Sequence, residues 1–203
     1  MDLKIERLVR FGAVCSVLFG LSLGVPGAIE AFTGETAVTS FAIGLGATFG
    51  VPALVAFHLS QADVSGRFGA VAAGVNILGL GLFAGGLFAF NLVLYFVPPS
   101  VTEAVLEGPT RWAFLVSGMI FIAGTILFGV SMLRSRVLPR LAVVGYIVGL
   151  TALALQAAWP ESLLSSAIHV AACVSLIALA RSVWPRSVDA VRPERHPLGV
   201  SSP

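Results

Sequence analysis

A few polar side chains interrupt long apolar runs, and they are where chemistry could sit. Glu30, Asn91, Ser117, Gln156, Ser165, Ser166 and His169 lie in or at the ends of segments that otherwise carry almost no charge. Such groups are costly inside a membrane, so they pair with one another, face a water-filled cavity or serve a function. Glu30, Asn91, Gln156, Ser166 and His169 are the candidate ligand-binding set. A carboxylate, two amides, a hydroxyl and an imidazole can together orient a small molecule or a lipid headgroup in a pocket. The competing reading is structural: amides and hydroxyls also bond neighbouring helices, and Glu30 and Gln156 sit near enough to helix ends to be solvated.

Ser162, Ser166, His169 and Cys173 follow at i, i+4, i+7 and i+11, which places them on one helical face that should turn inward. His169 is then either a neutral histidine bonded within the bundle or a base or proton carrier. Ser117 and His169 are the remote candidates for a catalytic pair, because a serine nucleophile needs a base within hydrogen-bond reach. Their placement, Ser117 at the outer start of the fourth helix and His169 at similar depth in the sixth, is similar to that of the serine and histidine of rhomboid intramembrane proteases. The pattern departs from that family where Leu115 stands in place of the first glycine of its GxSG motif, and no histidine lies at the outer end of the second helix.

Other chemistry lacks its residues. No cofactor and no metal is expected, since no His, Cys, Asp and Glu cluster has ligand spacing. His58 and His169 fall toward opposite faces, which does not suit a haem held between two histidines. Lys4 is the only lysine, leaving none within a span for a Schiff base, and Gly44–Gly50 is a glycine-rich apolar helix rather than a phosphate loop. A net charge of +2 supplies no basic field for nucleic acid. Cys15 and Cys173 lie in apolar runs and read as packing residues.

The elements that must position these groups are membrane helices. Hydrophobic residues make up 57% of the 203 and charged residues 11%, against about 25% charged in soluble domains. Thirty consecutive residues, 68–97, carry no charge, and about 20 suffice to cross a hydrocarbon core. The apolar runs predict an all-α polytopic bundle of six transmembrane helices over 11–29, 38–59, 68–97, 112–133, 141–158 and 162–183. The first should be kinked at Pro26, and the third should end at Pro98-Pro99. Ser100 is expected to cap a short interfacial helix. Gly74, Gly81 and Gly85 share a stripe that would let neighbouring helices approach the third, and Gly46 and Gly50 form a GxxxG in the second. Residues 1–183 form the membrane domain in this reading, and 184–203, rich in Pro and Arg, a flexible cytoplasmic tail.

Sorting the basic residues among the alternating loops puts eleven of twelve Lys and Arg on the side of the termini, with Arg111 alone opposite. The positive-inside rule then places both termini in the cytoplasm and the chain in the cell membrane. Leu133–Leu150, with Arg134, Arg136, Pro139 and Arg140 leading into an apolar helix, resembles a segment of uncharacterised six-helix bacterial integral membrane proteins. That resemblance implies a small bacterial integral membrane protein and assigns no site.

Partners follow from these surfaces: the lipid bilayer, and other membrane subunits or a second copy of the chain. The leading expectation is a non-enzymatic protein with an accessory or assembly role, built on its glycine-rich faces. The alternative is a carrier or receptor for a lipid or small molecule with an outward-facing polar pocket. An intramembrane serine hydrolase is the remote third.

Overall fold

A computed structural model describes residues 3–156 and 162–189. It is all helical, with no strand among the described residues. The helices are α1 (Leu3–Thr33), α2 (Ala37–Gly46), α3 (Gly50–Leu59), α4 (Ala62–Leu92), α5 (Pro99–Glu107), α6 (Pro109–Ser135), α7 (Arg140–Gln156) and α8 (Leu163–Asp189). Five stretches are long and apolar enough to cross a membrane: Leu3–Thr33, Ala37–Leu59, Ala62–Phe96, Pro109–Ser135 and Leu163–Trp184. The apolar α7 is shorter, at 17 residues.

Local chemistry explains the breaks. Thr36 starts α2 with a reciprocal capping box, its hydroxyl accepting from the Thr39 amide while the Thr39 hydroxyl accepts from the Thr36 amide. Pro52 cannot donate, and its ring crowds the carbonyl four residues back, at Thr48. The chain tightens there into a 3-10 turn, Ala47–Phe49, between α2 and α3. Gly66 interrupts α4 at φ 56°, ψ −158°, a conformation only glycine adopts readily, so a short turn of helix precedes the span proper. Pro26 lies inside α1, which continues to Thr33. The third long span gives up α-helix at Leu92 and passes through a 3-10 turn, Leu94–Phe96, before Pro98. Helix α5 forms as expected, but Ser100 does not cap it. Pro98 holds the N-cap position, and Pro99, whose fixed φ suits the first turn, opens the helix. Helix α8 runs on through Trp184 to Asp189, and residues 190–203 of the expected tail lie outside the described residues, as do 157 and 158 of the fifth expected span.

The spans close into a ring. Helix α1 packs on α8, α8 on α7, α7 on α6, α6 on α4, and α4 on α2 and α3, which return to α1. Glycines set the closest approaches. A Cβ at Gly79 would lie 2.6 Å from the Phe121 Cα, and one at Gly124 2.5 Å from the Asn76 Cα, so α4 and α6 meet backbone to backbone. Gly20, Gly24 and Gly27 of α1 receive Leu176, Cys173 and His169 of α8, and the GxxxG glycines Gly46 and Gly50 receive Ser22, Phe19 and Leu80. The expected stripe behaves differently. Gly74, Gly81 and Gly85 have no neighbour within 4 Å, because they lie on the outward face of α4 while Gly79 lies on the inward one.

The ring is filled at one end only. Around the N-terminal half of α1, the side chains of Phe57, Phe128, Met132, Val143, Leu179 and Val183 are wholly buried. Toward the other end the helices stand apart around a cavity.

Candidate binding pocket

The cavity has a volume of about 380 Å³ and draws its walls from α1, α2 and α4–α8. Its floor is apolar, formed by Phe19, Leu80, Phe121 and Leu150, each at most 3% exposed. Phe83 stacks on Phe121 with ring centroids 4.8 Å apart, extending an aromatic wall upward. Along α1 the lining runs from Phe19 to Glu30, eleven residues apart, or about 16 Å at 1.5 Å per residue. The cavity is thus deep, with an apolar base and a polar rim.

One helical turn beneath that floor lies a polar knot. Asn76, Thr125 and Tyr146 stand four residues from Leu80, Phe121 and Leu150 respectively, each on the closed side, and all three are fully or almost fully buried. The Asn76 Nδ2 donates to the Tyr146 hydroxyl oxygen, and the Thr125 hydroxyl donates to Asn76 Oδ1 at 3.2 Å. Three helices are thereby bolted together at the depth that supports the floor. In an apolar surrounding each of these groups would be costly alone, and together they satisfy one another.

The rim gathers most of the candidate residues. Glu30, Asn91, Gln156 and His169 all line the cavity, from α1, α4, α7 and α8. The His169 Nδ1 lies 2.9 Å from the Ser165 carbonyl oxygen. A carbonyl only accepts, so this contact puts the ring proton on Nδ1 and leaves the lone pair on Nε2. The Gln156 Nε2 stands 3.4 Å from the same Nδ1, but with the proton there both nitrogens are donors, so the Gln156 amide is not spent on His169. Asn91 spends one amide hydrogen on the Leu87 carbonyl at 2.8 Å, keeping Oδ1 as an acceptor. Glu30 Oε1 is buried and has no hydrogen-bond partner among the described residues.

Three residues singled out in the sequence stand elsewhere. Ser166 is absent from the lining, and Ser165 takes its place; one residue turns a helical side chain by about 100°. Cys173 packs on Gly24 and borders a separate apolar groove between α1 and α8. Ser117 is likewise outside the lining, its hydroxyl donating to its own helix at the Ala113 carbonyl, 2.7 Å away. No hydrogen bond joins it to His169 among the described residues, so the geometry assembles no serine–histidine dyad.

Glu35, Tyr95, Thr102 and Ser165 complete the polar rim. Glu35 sits in the α1–α2 connection, where its Oε1 accepts from the buried Ser40 hydroxyl at 2.5 Å. The Thr36 capping box fixes the start of α2 beside it. No group of three or more His, Cys, Asp and Glu residues suited to a metal ion occurs among the described residues. No family model, curated protein or solved structure matches the chain.

Proposed function

We propose that this protein binds a small amphipathic molecule in the rim-polar, floor-apolar cavity, acting as a carrier or receptor rather than as an enzyme. The observation that carries the reading is the convergence of Glu30, Asn91, Gln156 and His169, from four helices far apart in sequence, onto one cavity. About 380 Å³ lies within the range of small-molecule sites, and an apolar enclosure with a few placed polar groups is their usual form. In this reading α7 is a sixth, short crossing, with both termini in the cytoplasm of a bacterial cell and the cavity opening outward. The distribution of eleven of twelve basic residues supports that orientation.

Native mass spectrometry of the protein released gently from its own membranes tests the proposal. One defined small molecule should accompany each chain, and Leu153→Trp, which fills the cavity wall, should displace it. A protein that carries nothing, or whose bound molecule ignores Leu153→Trp, refutes the reading.

A second reading has its own observation. Gly74, Gly81 and Gly85 form an open face, where a Cβ would meet nothing within 4 Å among the described residues, between the exposed Val71, Leu78 and Leu82. Association with another subunit or a second copy would cover it, and the same spectra count subunits.

A further inference from the structure

We propose that the molecule held in this cavity is an amphipathic amine, its ammonium head between Glu30 and Glu35 and its apolar body on the phenylalanine-lined floor. This rests on reading the cavity as a binding site and goes on to name the ligand class.

Two independent features of the rim point the same way. The first is charge. Glu30 and Glu35 line the cavity, and no Lys or Arg among the described residues does. An anionic ligand would therefore meet two carboxylates with no compensating cation. Glu30 Oε1 is removed from water without a partner, and a buried carboxylate oxygen is strongly destabilised unless a donor reaches it. Glu35 is held in place by Ser40, so its carboxylate is already positioned.

The second feature is hydrogen-bond polarity. Some of the rim's donors are spent on the protein: Nδ1–H of His169 on Ser165, one Asn91 amide hydrogen on Leu87, the Thr102 hydroxyl on Leu94 at 3.4 Å. Among the acceptors that line the cavity, Glu30 and Glu35 are the charged ones, and they call for a charged donor more strongly than the neutral Asn91, Gln156, Tyr95 and Ser165 groups call for an acceptor. An ammonium group is the complementary species, with three donors and no acceptor. A carboxylate or phosphate offers only acceptors and would leave both glutamates facing like charge. The apolar body follows from the floor, where Phe19, Leu80, Phe83 and Phe121 provide no polar partner and reward an aromatic or short alkyl group.

The test uses the full chain in lipid nanodiscs, with empty nanodiscs as the blank, and titrates 4-phenylbutylamine, 4-phenylbutanol and 4-phenylbutyrate by calorimetry. These share one body and differ in the head. The amine should bind roughly tenfold to a hundredfold more tightly than the alcohol, as a charge-assisted bond does over a neutral one, and the carboxylate should not bind measurably. Glu30→Gln should narrow the amine's advantage over the alcohol severalfold, with Glu35 keeping the remainder, and an unchanged ratio overturns the assignment. If that variant does not fold, the ranking on the wild-type protein decides. Alcohol or carboxylate binding as tightly as the amine overturns the amine assignment and leaves the cavity reading standing. If none of the three binds while a native molecule is still displaced by Leu153→Trp, the amine falls and the cavity stands; if neither occurs, both fall.

Discussion

Adding one methyl group at Gly79 should cost stability that the same change two residues later does not. The Cβ of Gly79→Ala would sit 2.6 Å from the Phe121 Cα and 2.7 Å from its amide nitrogen, whereas ordinary contacts begin near 3.4 Å. Backbone cannot rotate away as a flexible side chain can, so α4 and α6 must part by roughly 0.8 Å. A gap of that size forfeits about a quarter to a half of each dispersion contact it opens. It also stretches the 3.2 Å bond from Thr125 to Asn76 to about 4 Å, beyond hydrogen-bond range. Overpacking of this kind costs about 1–3 kcal/mol, and the lost interhelical bond adds about 0.6 kcal/mol. The helix propensity of Ala over Gly returns about 1 kcal/mol. The net expectation is a loss of about 2 kcal/mol. Gly81→Ala meets nothing within 4 Å and should be neutral or slightly stabilising. Reversible unfolding in mixed micelles, with SDS as denaturant, reads both. Gly79→Ala matching Gly81→Ala in stability would refute the backbone contact between α4 and α6. Combining Gly79→Ala with Gly124→Ala sharpens the test. One separation of the helices relieves both clashes, so the pair should cost clearly less than the sum of the singles.

Two further substitutions probe other parts of the argument. Tyr146→Phe removes the acceptor of the Asn76 amide beneath the cavity floor and should cost about 1 kcal/mol in the same titration. Asn76→Leu should make a second change at Tyr146 nearly free, and full additivity in that cycle would show that the knot is not a unit. Gly66→Ala forces a residue with a Cβ to φ 56°, ψ −158°; it should cost about 1–3 kcal/mol and speed hydrogen exchange over residues 60–70. Unchanged exchange there would mean that the connection into α4 does not depend on that conformation.

The long apolar runs were legible because bilayer thickness demands them, and they located the five long spans and the turn regions between them. What faces what was not legible, and the glycines show why. On α4 both the lipid side and the protein side are apolar, so spacing distinguishes Gly74, Gly81 and Gly85 from Gly79 only once the neighbours are known. The same rotational ambiguity exchanged Ser166 for Ser165 at the rim. Polar residues in apolar helices were a better guide, because cost drives them inward. Glu30, Asn91, Gln156 and His169 could be picked out by depth alone, although nothing in their spacing says that they meet. Asn76, Thr125 and Tyr146 form a knot across three helices and up to 70 residues. Read one at a time, each is merely an isolated polar group in its own run.

The contact between α1 and α8 has a consequence for biosynthesis. The groove of Gly20, Gly24 and Gly27 on α1 is filled by Leu176, Cys173 and His169 on α8, and the Ser16 hydroxyl donates to the Leu176 carbonyl at 2.9 Å across 160 residues. Until α8 emerges from the ribosome, α1 has no permanent partner for that groove. The nascent chain must hold that groove open while α2–α7 are made, and a product truncated before α8 leaves it open for good.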